Sequence, residues 1–380
     1  MLVLDAVLAI GLIAFFSVPF CAATVWVYNH FLAKMHESTL KKVIALVALP
    51  GGVGLGVFCY SYYIQLHGFE QQLLFWSLMI PAGLICLTLS NAEARKGRTA
   101  ESYGSYEKVD LDRNMIGWER LSFPRRAFLR LLSPVNSVSR LRVYRMRMQM
   151  PDLPPEFEGY RVAHLTDIHI HPTLRREWYE RVIHEVDDLE PDVILFGGDF
   201  VSKPKWMPAI PEFMEKLSAP DGVFFVRGNH DFWKGTHRSA RLAERAGMRL
   251  LSNEGVVLRR ESAEMSLAGF EAPYIALTES ERARMEALPR PRLGLVHDPV
   301  AFPEAARTGC FLALAGHTHG GQVRLPGLGT TVAGTEVPLE YASGVSRMGE
   351  MVTVTSHGVG AFFPLRFLCP PEVTLVELNC

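Results

Sequence analysis

Paired cysteines are absent from this chain, and so is any excess of one charge. Of the six cysteines, Cys21, Cys59 and Cys86 fall in apolar stretches, and Cys310, Cys369 and Cys380 show no paired spacing. That excludes a disulfide framework and a zinc-thiolate motif. Lys and Arg number 39 against 40 Asp and Glu, a net charge of −1, so composition nominates neither nucleic acid nor any other highly charged partner. Charge is missing altogether from three long apolar stretches in the first ninety or so residues, and no Lys or Arg precedes the first of them.

Those stretches, about 6–27, 43–63 and 73–89, each approach the ~20 apolar residues that cross a bilayer. Pro50, Pro81 and the glycines at 51, 52, 54 and 56 are tolerable in such helices, where neighbouring helices re-satisfy the backbone. Residues 1–92 are therefore expected to be a three-span anchor, and a cleaved leader is disfavoured by Asp5 and by the length of the first stretch. No Asp, Glu, His, Lys or Arg lies within the spans to carry a transported ion, so anchoring is the simpler role. Lys34, Lys41 and Lys42 between the first two spans, with Arg95, Lys96 and Arg98 after the third, place the C-terminal domain in the cytoplasm by the positive-inside rule. That predicts a multi-pass inner-membrane protein. The expected linker, 93–150, is rich in arginine interleaved with Phe123, Phe128, Leu129, Leu131 and Leu132. It fits a segment lying on an anionic leaflet as well as a solvated linker, and both readings stay open. Arg125-Arg126-Ala127-Phe128-Leu129-Arg130 is similar to a twin-arginine export motif without the apolar run that must follow, which keeps a periplasmic domain as the alternative.

Residues 151–380 are long enough to bury a core of their own. Within them five motifs occur in fixed order: Asp167-Ile168-His169, Gly197-Gly198-Asp199, Gly228-Asn229-His230-Asp231, His297, and Gly316-His317-Thr318-His319-Gly320-Gly321. Each follows a short apolar run, namely 161–166, 192–196, 222–226, 293–296 and 311–315. Such runs bounded by glycine are expected to be buried strands, with helices over 174–189, 206–217, 237–246 and 277–288. The polar groups then sit at carboxyl ends of strands, where open α/β sheets form their binding crevice. Two later runs, 351–355 and 373–378, read as further strands and suggest a second sheet.

Two aspartates, an asparagine and several histidines form the mixed oxygen and nitrogen set that borderline divalent metals accept. Two metals a few ångströms apart need a shared ligand, and the Asp199 carboxylate is the candidate bridge. Asp167, His169 and His319 complete one site, and Asn229, His297 and His317 the other. Such a pair clamps phosphoryl oxygens and lowers the pKa of a bridging water, supplying a hydroxide nucleophile. His230 is assigned to protonating the leaving oxygen or stabilising transition-state charge, with Asp231 orienting its ring. His164 and His171 read as packed or surface histidines, Asp298 as a loop cap or a partner behind the ligands rather than a ligand, and Arg227 and Lys234 as solvated charges rather than phosphate contacts.

The motif set, with the ending Ser356-His357-Gly358-Val359-Gly360 and Pro370-Pro371-Glu372-Val373, resembles the calcineurin-like metallophosphoesterase superfamily. Within it, the chain resembles a membrane-anchored bacterial branch related to the transmembrane protein with metallophosphoesterase domain. The resemblance covers about residues 150–378 and implies an α/β four-layer sandwich, two mixed β-sheets flanked by helices. It also implies two divalent ions, Mn2+ first and Fe or Zn2+ as alternatives, and a phosphodiester or pyrophosphate substrate, with the ligands assigned above. Relatives in that branch cleave UDP-2,3-diacylglucosamine in lipid A synthesis, so a lipid precursor in the membrane is the expected kind of partner. His357 departs from the pattern, because relatives carry an arginine there. A metal-binding scaffold without activity is the competing class, and the complete ligand set argues against it.

Overall fold

The computed structural model describes residues 104–110, 115–150, 152–235, 237–271, 277–324, 330, 336–361 and 363–380. The three apolar stretches expected to span a membrane lie outside these residues. Among the described residues, no helix is long and apolar enough to cross a bilayer.

Two mixed sheets form the centre of the domain. The first has seven strands: β1 (Gly104–Asp110), β2 (Arg140–Gln149), β3 (Tyr160–Leu165), β4 (Val193–Phe196), β5 (Val223–Phe225), β6 (Arg249–Leu250) and, late in the chain, β13 (Glu372–Asn379). Their spatial order is β1-β2-β13-β3-β4-β5-β6. The second sheet has six strands: β7 (Glu254–Arg260), β8 (Ala263–Phe270), β9 (Arg292–Val296), β10 (Leu312–Ala315), β11 (Gly344–Met348) and β12 (Met351–Thr355), ordered β11-β12-β10-β9-β8-β7. Parallel pairing links β3 to β4 to β5, and β8 to β9 to β10. Antiparallel strands close the second sheet at both edges.

Helices α1 (Phe123–Leu132), α2 (Arg176–Asp187), α3 (Ile210–Met214) and α4 (Arg238–Arg245) contribute to the core on the first sheet's outer face, around Trp178, Phe196 and Phe225. A second cluster, with Val162, Leu195, Leu267 and Leu295, fills the space between the sheets. A third, with Phe302, Met285 and Ala313, holds α5 (Glu279–Glu286) and α6 (Phe302–Arg307) against the second sheet. Strands sandwiched in this way are apolar on both faces, which is why Val193–Phe196 and Leu312–Ala315 are buried at every position.

Two expectations change. The run at 373–378 does not help build the second sheet. It inserts into the first, parallel to β2 and antiparallel to β3. The basic segment expected to end as a linker at residue 150 is, from Arg140 onward, strand β2 of the same sheet. Its arginines hid a period-two pattern: Leu141, Val143, Tyr144, Met146 and Met148 are buried between exposed Arg140, Arg145 and Arg147, the alternation of a half-covered strand.

Candidate metal centre

The sequence reading treats the five motifs as a single crevice, and the structure builds that crevice from both sheets. β3, β4 and β5 lead into Asp167, Asp199 and Asn229, whereas β9 and β10 lead into His297 and His317. The carboxyl ends of five parallel strands therefore meet where the sheets adjoin. Close approach there depends on glycine. A Cβ at Gly228 would lie 2.1 Å from Asp199 Oδ1, and one at Gly316 would lie 2.2 Å from Asp167 Oδ2.

All seven expected ligands come together. In one group His169 Nε2 is 3.1 Å from His319 Nε2 and 3.4 Å from Asp199 Oδ2, and His319 Nε2 is 3.5 Å from Asp167 Oδ1. In the other, Asn229 Oδ1 lies 3.1 Å from His297 Nε2 and 3.0 Å from His317 Nδ1, and those two ring nitrogens are 3.1 Å apart. Asp199 Oδ2 also stands 3.7 Å from His297 Nε2, so this oxygen faces both groups. Its other oxygen is committed, accepting the His230 backbone N–H at 2.8 Å.

The second group has a chemical meaning that distances alone do not carry. His297 Nδ1 is 2.7 Å from the Gly197 carbonyl, which can only accept, so the proton sits on Nδ1 and the Nε2 lone pair points inward. His317 Nε2 faces the Asp298 carboxylate at 3.4 Å, which by the same logic leaves a lone pair on Nδ1. Two imidazole lone pairs and an amide oxygen thus converge with no hydrogen between them. In the first group Asp167 Oδ1 is buried without any hydrogen-bond partner. Orphaned buried acceptors are rare and costly, and a bound cation satisfies them. Burial holds the His169 and His319 imidazoles neutral, well below the usual histidine range. Burial with the Asp167 and Asp231 carboxylates pushes Asp199 well above the carboxylate range, a like-charge conflict that a cation relieves.

Backbone strain is concentrated at the same place. Asp167 (φ 52°), His169 (φ 45°), Asp199 (φ 59°), His317 (φ 67°) and His319 (φ 49°) all adopt left-handed conformations. Each costs a non-glycine residue about 1–2 kcal/mol, and such strain persists only where the surroundings over-determine it.

Around the ligands one assigned role changes. Asp231 does not turn toward the His230 ring. Its carboxylate accepts the backbone N–H groups of Asp199, Gly228 and Phe200 at 2.8, 2.9 and 3.3 Å. His230 is half-buried and stacks edge-on against His169, with ring centroids 4.9 Å apart. Burial and the His297 ring lower its pKa. Asp298 caps the turn at Val300 in addition to facing His317. His357 is buried, its Nε2 against Arg324 and Ser343 and its Nδ1 3.2 Å from the Pro370 carbonyl. His164 is buried beneath Gly197, and burial alone pushes its imidazole down to about 3.

Arg227 is not a solvated charge. It is buried, pairs through two guanidinium nitrogens with Glu271, and so ties the end of β5 to the end of β8 across the two sheets. Arg366 went unrecognised in the sequence. Wholly buried, it donates to the carbonyls of His357, Gly358, Gly360 and Cys369 and lies 3.1 Å from His319 Nδ1. No local pattern distinguishes either arginine from a surface one.

Residues 160–269 match the family described as calcineurin-like phosphoesterase, a span that contains Asp167 to Asp231 and stops short of His297, His317 and His319. The chain is 30% identical over 224 residues, 58% of its length, to the phosphodiesterase YaeI of Escherichia coli, covering 82% of that protein. It is 28% identical to the metallophosphoesterase YkuE of Bacillus subtilis, over 60% of this chain and 82% of the relative. It is also 28% identical to the zebrafish (Danio rerio) transmembrane protein with metallophosphoesterase domain, over 67% of this chain and 61% of the relative.

Proposed function

This chain belongs to the calcineurin-like metallophosphoesterase family and is a metal-dependent phosphoester hydrolase, and from that premise we propose that it cleaves a phosphodiester or pyrophosphate bond of a lipid-linked substrate at a membrane surface. The observation that carries the reaction class is the convergence of acceptor atoms in the second group, with Asn229 Oδ1, His297 Nε2 and His317 Nδ1 mutually within 3.0–3.1 Å.

In this reading Asp167, His169 and His319 would hold one divalent cation, Asn229, His297 and His317 would hold the other, and Asp199 would serve both. Oxygen and imidazole donors without thiolate suit Mn2+, with Fe or Zn2+ as alternatives. When bound, such a pair supplies Lewis-acid stabilisation of phosphoryl oxygens and activates water near neutral pH. The protein's own groups do the rest. Asp231 holds the Asp199 loop, and the Gly197 carbonyl and Asp298 carboxylate hold two ligand rings in one tautomer each. In this reading His230 gives a proton to the leaving oxygen.

Membrane anchoring is supported by the uncharged stretches at 6–27, 43–63 and 73–89 and by the transmembrane relative. The basic residues flanking those stretches support a cytoplasmic domain. Purified full-length chain should hydrolyse bis(p-nitrophenyl) phosphate with manganese and lose that activity to chelator. No turnover with any divalent metal would end the proposal. A reporter fused after Cys380 should be active only in its cytoplasmic form.

A further inference from the structure

Among the described residues, the exposed large apolar side chains are Phe123, Phe128, Leu131, Val135, Val323 and Leu368. They are not scattered. Phe123 and Leu131 belong to α1 and are 83% and 78% exposed. With Ala127 they recur at intervals of four, and Phe128 is adjacent, so all lie on one face, opposite the buried Leu129. A helix with one apolar stripe packs it inward, whereas this short helix buries Leu129 and turns a second apolar stripe to solvent.

The other three exposed residues continue the same surface. Val135 precedes Asn136, which forms a β-bridge with Phe367, next to Leu368. Phe367 also bridges Val323, which follows the His319–Gly321 turn by two residues. The neighbouring Arg366 lies beside the His319 ring. The apolar surface therefore runs from α1 to the edge of the metal centre.

Its charge is one-sided. Between Glu119 and Asp152 the chain has eight arginines and no acidic residue, and Arg125, Arg130 and Arg140 of these are exposed. Exposed aromatic and leucine side chains flanked by arginine match the interface of an anionic bilayer, where rings enter the headgroup boundary and guanidinium groups meet phosphate. The segment that carries α1 and Val135, residues 120–139, has four arginines and no Asp or Glu.

We propose that α1, with Val135, Val323 and Leu368, docks on an anionic phospholipid leaflet and sets the metal centre against it. The consequence, which rests on the hydrolase reading above, is that a phosphoester carried on a lipid reaches the centre without leaving the membrane.

The test uses full-length chain in nanodiscs of phosphatidylcholine, with and without phosphatidylglycerol. A photoreactive p-benzoylphenylalanine replaces Phe128, Leu131 or, as a control, the exposed Glu261 at the far β7–β8 turn. Crosslinks to phospholipid are expected from positions 128 and 131 and none from 261. Yield should rise severalfold with phosphatidylglycerol, and the double substitution R125Q/R130Q should remove that rise. Crosslinks to the chain's own residues before 104 or to a second copy, or none to lipid, overturn the proposal, and so does a yield indifferent to phosphatidylglycerol. Turnover of bis(p-nitrophenyl) phosphate by the same samples reports separately on the hydrolase reading. Its failure with lipid crosslinking intact leaves the docking face standing.

Discussion

The Asp231 carboxylate lies directly beneath Asp199, accepting that residue's backbone N–H at 2.8 Å. Two further amides complete its coordination, so the residue after the Asn-His pair acts as an anchor for the proposed bridging ligand rather than as a partner of the His230 ring. Asp231→Asn turns one acceptor into a donor facing amide N–H groups. The expected result is a loss of about 1–3 kcal/mol in stability and roughly 10- to 100-fold weaker Mn2+ binding, read by thermal melts and calorimetric titration. Unchanged metal affinity would count against this role.

Asp199 Oδ2 faces both groups of ligands. Asp199→Asn should therefore reduce bound manganese from two ions per chain to one or none. Turnover should fall at least about a hundredfold, because several kcal/mol of transition-state stabilisation depends on the pair. Metal stoichiometry by elemental analysis, alongside steady-state rates, checks both statements.

Gly316 has no room for a methyl group. The Cβ of Gly316→Ala would stand 2.2 Å from both Asp167 Oδ2 and Thr166 Oγ1. Displacing that carboxylate should cost about 1–3 kcal/mol from overpacking and impair the site holding Asp167 more than the site holding Asn229. A variant with wild-type melting temperature and activity would show that the loop relaxes freely.

The buried Arg227–Glu271 pair joins the two sheets that carry the ligands. Removing one partner leaves an uncompensated charge, so Arg227→Met should destabilise by about 3–5 kcal/mol. The double variant R227M/E271M should recover most of that loss. Denaturant unfolding of the two variants distinguishes a charge clamp from simple packing, for which the double variant would be the worse of the pair.

Glu372 lies wholly buried on β13, and desolvation pushes its carboxyl up to about 7. A raised folded-state pKa favours the protonated fold. Its contribution is fully present below about 4.5, the ordinary value, and is lost as pH rises through about 7. Stability of the wild type should carry that downward component between these limits, and Glu372→Gln should remove it. Chemical unfolding at pH 5 and pH 8 tests the difference, and an identical pH slope in the two proteins would refute it.

Much of the centre was legible because its signals are local. Val193-Ile194-Leu195-Phe196 followed by two glycines and Asp199 reads as a buried strand ending in a turn, and the structure has that arrangement. Strand β2 was harder to read, since arginines at alternate positions look like a charged linker until their apolar neighbours find a covered face. The role of Asp231 was misread because sequence adjacency to His230 suggested a contact that the turn at Asn229–Gly235 directs elsewhere.

The sequence alone determined the residue types of the candidate ligands, their order and their place just after strand ends, since backbone periodicity and glycine turns act over a few residues. Only the tertiary structure decided that β13 enters the first sheet, that the centre straddles both sheets, and that Arg366 and Glu271 support it. Those choices pair residues far apart in the chain, and burial across the sheets, rather than any local preference, selects among them.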